Sequence, residues 1–177
     1  MKKKISVRRL IKKGRIVYTR KGSFVVALSR KIVLWIKPYC ERIEIVGSIR
    51  RKEKNPVDID IVLIPKKPEK ENKEKIEKIL ERHGKKKIGG EQKVYFKIQG
   101  VEVEIYYTVP EEWGAALLAY SSRFGAGIGL RIVARSRGFK LNQHGLFDRD
   151  TGGKIAGKTE KQIYSALGRK WKPPEKR

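Results

Sequence analysis

Two short runs decide how this chain is read: Gly47-Ser48-Ile49-Arg50-Arg51 and, after a brief polar loop, Asp58-Ile59-Asp60-Ile61-Val62-Leu63-Ile64. The second run has the alternation and β-branched content of a strand that ends at Pro65. Residues two apart on a strand share a face, so Asp58 and Asp60 point one way while Ile59 and Ile61 point into the core. Two close carboxylates repel each other unless a cation lies between them. Mg²⁺, which prefers hard oxygen ligands, suits such a pair. The Gly47-Ser48 turn ends a preceding strand, 42–46. Its backbone N–H groups, the Ser48 hydroxyl and the Arg51 guanidinium together form a receptor for a triphosphate.

Two-metal phosphoryl chemistry needs a third carboxylate to complete the metal site and to take a proton from an attacking hydroxyl. The strand Val101-Glu102-Val103-Glu104-Ile105 carries two candidates on one face. The alternation alone does not choose between Glu102 and Glu104.

Charge points to the partner. The 177 residues hold 44 Lys+Arg against 19 Asp+Glu, a formal net charge of +25. A field of that sign attracts polyanions, nucleic acid first among them. An ordinary solvated surface balances Lys against Glu, and this one does not. Residues 1–56 are the most basic part, with 18 basic and 3 acidic residues. No apolar run reaches the ~20 residues of a membrane span, and no signal-peptide core follows the basic start. The expected setting is therefore cytoplasmic or viral, with no membrane partner. Cys40 stands alone, which excludes an internal disulfide, and only His83 and His144 are present, too few for a Cys/His zinc site.

Residues 1–22 read as a loosely docked basic arm with a short strand at Ile16-Val17-Tyr18. A helix is expected over 23–37, capped by Ser23 and stopped by Pro38. A second helix is expected over 70–83, with Ile76, Ile79 and Leu80 on one face and Gly84 as its cap. The Lys/Glu-rich stretch 66–87 reads throughout as helical charge patterning. Strands 94–98 and 101–107 form a hairpin around Gln99-Gly100. Beyond Pro110, helices are expected over 113–120 and about 128–137. A hairpin then pairs 140–147 with 154–155, turning at 148–153. Thr159 and Gln162 form a capping box for a last helix, 160–167. The resulting fold class is α+β: a mixed sheet of about five strands backed by helices, then a small helical and hairpin subdomain. The units are an arm over 1–22, a catalytic subdomain over 23–110 and a C-terminal subdomain over 111–177.

The motif Gly47-Ser48-Ile49-Arg50-Arg51 with Asp58-x-Asp60 resembles the nucleotidyltransferase motif of the family X DNA polymerases, the group typified by DNA polymerase beta. The resemblance continues through Glu104, Pro110, Glu111 and Gly114 to Leu118. It reappears in Lys140-Leu141-Asn142-Gln143-His144-Gly145-Leu146-Phe147, in the helix 159–168 and in the ending Pro173-Pro174-Glu175-Lys176-Arg177. It implies a palm plus one C-terminal subdomain, the minimal viral form of the family. The N-terminal region is too short for the family's lyase and duplex-binding helical domains. The implied activity is extension of a primer 3′ end from nucleoside triphosphates, in gap filling or repair, by a monomer acting on primer-template or gapped DNA.

By the same resemblance Asp58, Asp60 and Glu104 are the catalytic carboxylates and the ligands of two Mg²⁺ ions, for which Mn²⁺ substitutes. Gly47, Ser48 and Arg51 receive the triphosphate. Ala119 and Tyr120 stand at the element that senses the sugar of the nucleotide. Arg131 matches a template-contacting arginine. Arg135, one turn on, together with Lys140 and Asn142 of the hairpin, falls on the nucleic-acid side. The chain departs from the family in having Glu at 104, Glu102 in place of an arginine, and Ala119-Tyr120-Ser121-Ser122 where a Tyr-Phe-x-Gly element is usual. Small residues, Gly125, Ala126, Gly127 and Gly129, flank the expected base position. Weak discrimination between deoxy- and ribonucleotides is expected from these changes. Two other readings remain: a nucleotidyltransferase acting on RNA ends or on protein, and an inactive nucleic-acid-binding module. The intact set Ser48, Arg51, Asp58 and Asp60 argues against the inactive module.

Overall fold

A computed structural model of the chain describes the backbone of residues 7–12 and 15–177, and the side chains of 19–123 and 125–177. The first elements are two antiparallel strands, β1 (Val7–Lys12) and β2 (Arg15–Arg20). The strand expected around Ile16–Tyr18 is thus present within β2. The expectation of a loosely docked arm falls partly on residues 1–6 and 13–14, which lie outside the described residues. Arg20 ties the end of β2 to the body. Its Nε donates to the Gln99 carbonyl at 2.9 Å, and its guanidinium lies over the Phe24 ring.

Helix α1 (Gly22–Ile36) follows. Val25, Leu28, Ile32 and Ile36 recur at helical spacing and are all buried. The helix begins earlier than the sequence reading placed it. Lys21 occupies the N-cap position without a side-chain bond, and Ser23 lies inside the first turn. A 3-10 turn at Lys37–Tyr39 carries Pro38, after which β3 (Cys40–Ile45) enters the sheet.

A one-turn helix, α2 (Gly47–Arg50), leads by way of a loop to β4 (Asp58–Pro65), and α3 (Glu69–Glu81) packs Ile76 and Leu80 inward. Strands β5 (Gly84–Gly89), β6 (Lys93–Ile98) and β7 (Val101–Tyr107) complete the sheet. The order is β3-β4-β7-β6-β5, with β4 and β7 parallel and the other neighbours antiparallel. This is the expected mixed sheet of five strands. Gln99 and Gly100 both take positive φ (50° and 83°), the left-handed pair that a two-residue hairpin requires.

Two local expectations are corrected. Residues 84–89 are an edge strand rather than a continuation of helical charge patterning. Lys residues on an edge strand are a common guard against edge-to-edge pairing. Gly84 does not cap α3, whose C-cap is Arg82. It opens β5, where a Cβ would meet the Lys97 carbonyl oxygen.

One face of the sheet, with Ile59, Ile61, Leu63, Phe96, Val103 and Ile105, is covered by α1 and α3 to form the main core. The opposite face carries Val62 and Tyr106, which pack with Val46, Ala116 and Leu117. The last two belong to α4 (Trp113–Ser121). Then come α5 (Phe124–Ser136), β8 (Phe139–Asn142), β9 (Gly145–Asp148), β10 (Lys154–Ala156) and α6 (Glu160–Ala166). A separate core of Ala115, Leu118, Ala134, Leu146, Ile163 and Leu167 holds this part together. The Thr159–Gln162 capping box forms in both directions, as read from the sequence. The predicted 140–147 strand is instead two strands, turned at Gln143-His144 and followed by β10 in a three-stranded sheet. Helix α5 begins at Phe124, several residues before the expected start.

Tight packing joins α4 to α6. A Cβ on Gly114 would fall 2.2 Å from the Thr159 backbone, and Ala115 N–H donates to the Gly157 carbonyl at 2.9 Å.

Candidate active site

The parallel pairing of β4 with β7 sets the site. Asp58 lies opposite Glu102 and Asp60 opposite Glu104. Adjacent strands run ~4.8 Å apart and equivalent positions share a face, so all four carboxylates line one side of the sheet. They are not equivalent. Glu102 is exposed at the rim and lies beside Lys97 of β6, whereas Asp58, Asp60 and Glu104 are half-buried. Asp60 is held from behind by the turn after β3. Gly47 has φ +61°, and a Cβ there would stand 2.0 Å from Asp60 Oδ2. Only glycine satisfies both the left-handed backbone and the close approach.

This confinement changes the chemistry of Asp60. Burial first, then the charges of Asp58 and Glu104, push its carboxyl up to about 7, against smaller opposing effects from Tyr106 and Arg51. A carboxylate cluster in that condition gains from any cation able to sit between its members. The donors are all hard oxygens, the set that suits Mg²⁺. Among the described residues no three acidic, histidine or cysteine side chains are already drawn together around one point.

Beside the carboxylates, the Ser48 hydroxyl oxygen is buried and has no hydrogen-bond partner. An orphaned polar atom at the mouth of a turn suits an acceptor supplied by a ligand. Arg51 stands next to it and is engaged by the protein. Its Nε donates to Glu53 at 3.0 Å and its Nη1 to the Ser121 carbonyl at 3.2 Å. Arg50 bridges to α6 instead, with Nη1 and Nη2 on the Glu160 carboxylate at 2.8 and 3.1 Å and Nη1 also on Ser121 Oγ at 2.9 Å. Arg177 Nη1 reaches the same carboxylate at 2.7 Å. Burial pushes Glu160 up, but the bonds from Arg177 and Arg50 outweigh it and hold the carboxyl below its ordinary value.

Tyr120 ends α4 above the carboxylates, its ring stacked on Tyr106 with centroids 3.7 Å apart. The Tyr106 hydroxyl donates to Glu104 and lies 3.4 Å from Asp60 Oδ1. Thus Gly47, Ser48, Arg51, Asp58, Asp60, Glu104 and Tyr120 converge. Ala119, Arg131 and Asn142 meet elsewhere, around a cleft of 280 Å³ between α4, α5 and β8 whose walls include none of the three carboxylates. Arg135 and Lys140 are exposed on α5 and β8. The Asn142 carboxamide is turned inward. Its Oδ1 accepts from the backbone N–H groups of His144 and Gly145, which fixes the hairpin turn.

The sequence reading did not single out Arg50 or Tyr106. Tyr106 carried a usable signal, since it follows Glu104 by two on the same strand and must share its face. The Arg50 contact spans 110 positions and leaves no local trace.

Comparison with known proteins adds three findings. The family described as DNA polymerase beta thumb matches residues 128–177. The repair DNA polymerase X of African swine fever virus (isolate Tick/South Africa/Pretoriuskop Pr4/1996) is 27% identical over 172 residues, 93% of this chain and 91% of the relative. That of isolate Pig/Kenya/KEN-50/1950 is 26% identical over the same shares.

Proposed function

We propose that this chain, a DNA polymerase of the family X type, adds nucleotides from nucleoside triphosphates to a primer 3′ end in gapped or primed DNA. The observation that carries this reading is the convergence of Asp58, Asp60 and Glu104 on one sheet face beside the unpartnered Ser48 hydroxyl. The proposed units are a palm over 23–110, preceded by a basic arm, and a C-terminal subdomain over 111–177.

In the proposed reaction the triphosphate rests on the Gly47-Ser48 turn, where the Ser48 hydroxyl and the backbone N–H groups meet its oxygens. Arg51, already oriented by Glu53 and Ser121, adds positive charge where negative charge accumulates on the leaving group. Asp58, Asp60 and Glu104 would hold the divalent cations, Mg²⁺ by their oxygen donors. When bound, such ions lower the pKa of the attacking hydroxyl and neutralise the triphosphate. Glu104 orients the primer 3′-hydroxyl and takes its proton as the oxygen attacks the α-phosphate and pyrophosphate leaves. Most of the catalytic effect is then positioning and fixed charge. Arg131, in the cleft lined also by Ala119, faces the template side. The surplus of positive charge supplies the sequence-independent grip on DNA.

The test is extension of a gapped duplex by the wild type and by Asp60→Ala, Glu104→Ala and Glu102→Ala, with a single-stranded primer and an RNA primer in parallel. Asp60→Ala and Glu104→Ala should lose activity by at least ~1,000-fold, while exposed Glu102→Ala should keep most of it. Wild-type turnover by Asp60→Ala would sink the assignment. A dead Glu102→Ala with an active Glu104→Ala would move the third carboxylate to Glu102.

A further inference from the structure

Tyr106 occupies an unusual position for a side chain that the reaction outlined above does not use. It stands two residues beyond Glu104 on β7 and faces the same way. Its hydroxyl donates to Glu104 Oε2 and approaches Asp60 Oδ1 to 3.4 Å, from the adjacent strand. The phenol O–H thus lies between two carboxylates whose charges repel. It does part of the work of a shared cation by offering both carboxylates a hydrogen-bond donor.

The phenol and a shared ion draw on the same two carboxylates, Glu104 through Oε2 and Asp60 through Oδ1. Mg²⁺ takes carboxylate oxygens at ~2.0–2.1 Å, well inside any O–H···O contact, so an ion that uses these oxygens excludes the phenol. The Tyr106 ring is also one half of a face-to-face pair with Tyr120, at 3.7 Å and 18°. Tyr120 is followed by Ser121, whose hydroxyl and carbonyl are gripped by Arg50 and Arg51. A displaced Tyr106 ring must slide on a partner that is fixed at its base.

We propose that Tyr106 is a positioning residue that holds Glu104 and Asp60 through its hydroxyl in the metal-free protein, and that divalent-cation binding displaces it and alters the Tyr106–Tyr120 stack. This rests on the carboxylate-site reading above. It makes nucleotide-side geometry at Tyr120 responsive to metal occupancy, through two rings in contact.

The experiment titrates the full chain with Mn²⁺ alone, without nucleotide or DNA, reading free Mn²⁺ by electron paramagnetic resonance and the tyrosine band by near-ultraviolet circular dichroism. Wild type, Tyr106→Phe and Asp60→Asn are compared. Tyr106→Phe keeps the stacked ring and removes only the competing hydroxyl, so it should bind Mn²⁺ roughly tenfold more tightly, about the worth of one hydrogen bond to a charged group. In the wild type the tyrosine band should change along the binding isotherm. Equal or weaker binding by a folded Tyr106→Phe overturns the proposal, as does a wild-type tyrosine band that stays constant to saturation. The second measurement decides the matter even if Tyr106→Phe fails to fold. Wild-type-like binding by Asp60→Asn would instead overturn the carboxylate site itself, so the two failures are distinguishable.

Discussion

Replacing Asp60 by Asn should stabilise the metal-free protein while abolishing its activity. Asp60 has a carboxyl raised from the ordinary 3.8 to about 7, by burial and by the neighbouring charges of Asp58 and Glu104. Below pH 3.8 the group is protonated in both folded and unfolded chains, and costs nothing. Between 3.8 and about 7 the unfolded chain sheds the proton while the folded protein retains it, so stability falls as pH rises. Above about 7 the penalty is complete. At ~1.4 kcal/mol per pH unit the gap corresponds to at most ~4 kcal/mol. Asn keeps the shape and carries no charge, but its amide reproduces only part of the carboxyl's contacts, that with Tyr106 included. A net gain of ~2–3 kcal/mol is therefore expected, or ~5–10 °C in Tm for a chain of this size. The assay is urea unfolding in a chelator at pH 5 and pH 8.5. The advantage of Asp60→Asn should be small at pH 5 and near its full value at pH 8.5. Saturating Mg²⁺ should narrow it by stabilising only the wild type. An Asp60→Asn variant no more stable than wild type at pH 8.5 without metal would refute the picture of a strained carboxylate cluster.

Other consequences follow from the charge and the packing of the chain. DNA binding should be steeply salt-dependent and nearly indifferent to sequence; with about five phosphate contacts, log K should fall against log salt with a slope of roughly −4 to −5, and a flat response would contradict a charge-driven grip. Discrimination against ribonucleotides should be weak, because Ala119-Tyr120-Ser121-Ser122 lacks the bulk of the Tyr-Phe-x-Gly element that it resembles; a kcat/KM preference of a thousandfold or more for the deoxy sugar on one gapped substrate would show that Tyr120 acts as the gate. Glu160→Ala should destabilise the fold by ~3–5 kcal/mol, since it strands the poorly exposed guanidinium groups of Arg50 and Arg177; chemical denaturation would check this, and a loss below ~1 kcal/mol would mean that the network adds little to the join between α2 and α6.

The parts of this protein legible in its sequence are those governed by neighbours along the chain. Strand alternation put Asp58 and Asp60 on one face and their isoleucines on the other, because side chains on extended backbone must alternate. The Gln99-Gly100 turn and the Thr159–Gln162 box were readable for the same reason, each being closed within a few residues. The net charge of +25 named the kind of partner without any geometry.

Elements whose stability comes from elsewhere were not legible. Strand β5 reads as Gly-Lys-Lys-Lys-Ile-Gly, with no apolar alternation, and it forms because β6 offers it a ladder of backbone hydrogen bonds. Helix α5 starts in a glycine-rich stretch of poor helix propensity. It is held by packing of Leu130, Val133 and Ala134 on the C-terminal core. The choice between Glu102 and Glu104 illustrates the division most clearly. Their alternation is identical, and only the depth of each along β7, against Asp60 and under α4, distinguishes an exposed rim residue from a half-buried one. The Tyr106 bond to Asp60 spans 46 positions and that of Arg50 to Glu160 spans 110. Contacts across such separations are set by how the sheet, α4 and α6 pack, and a local pattern in the chain holds no record of them.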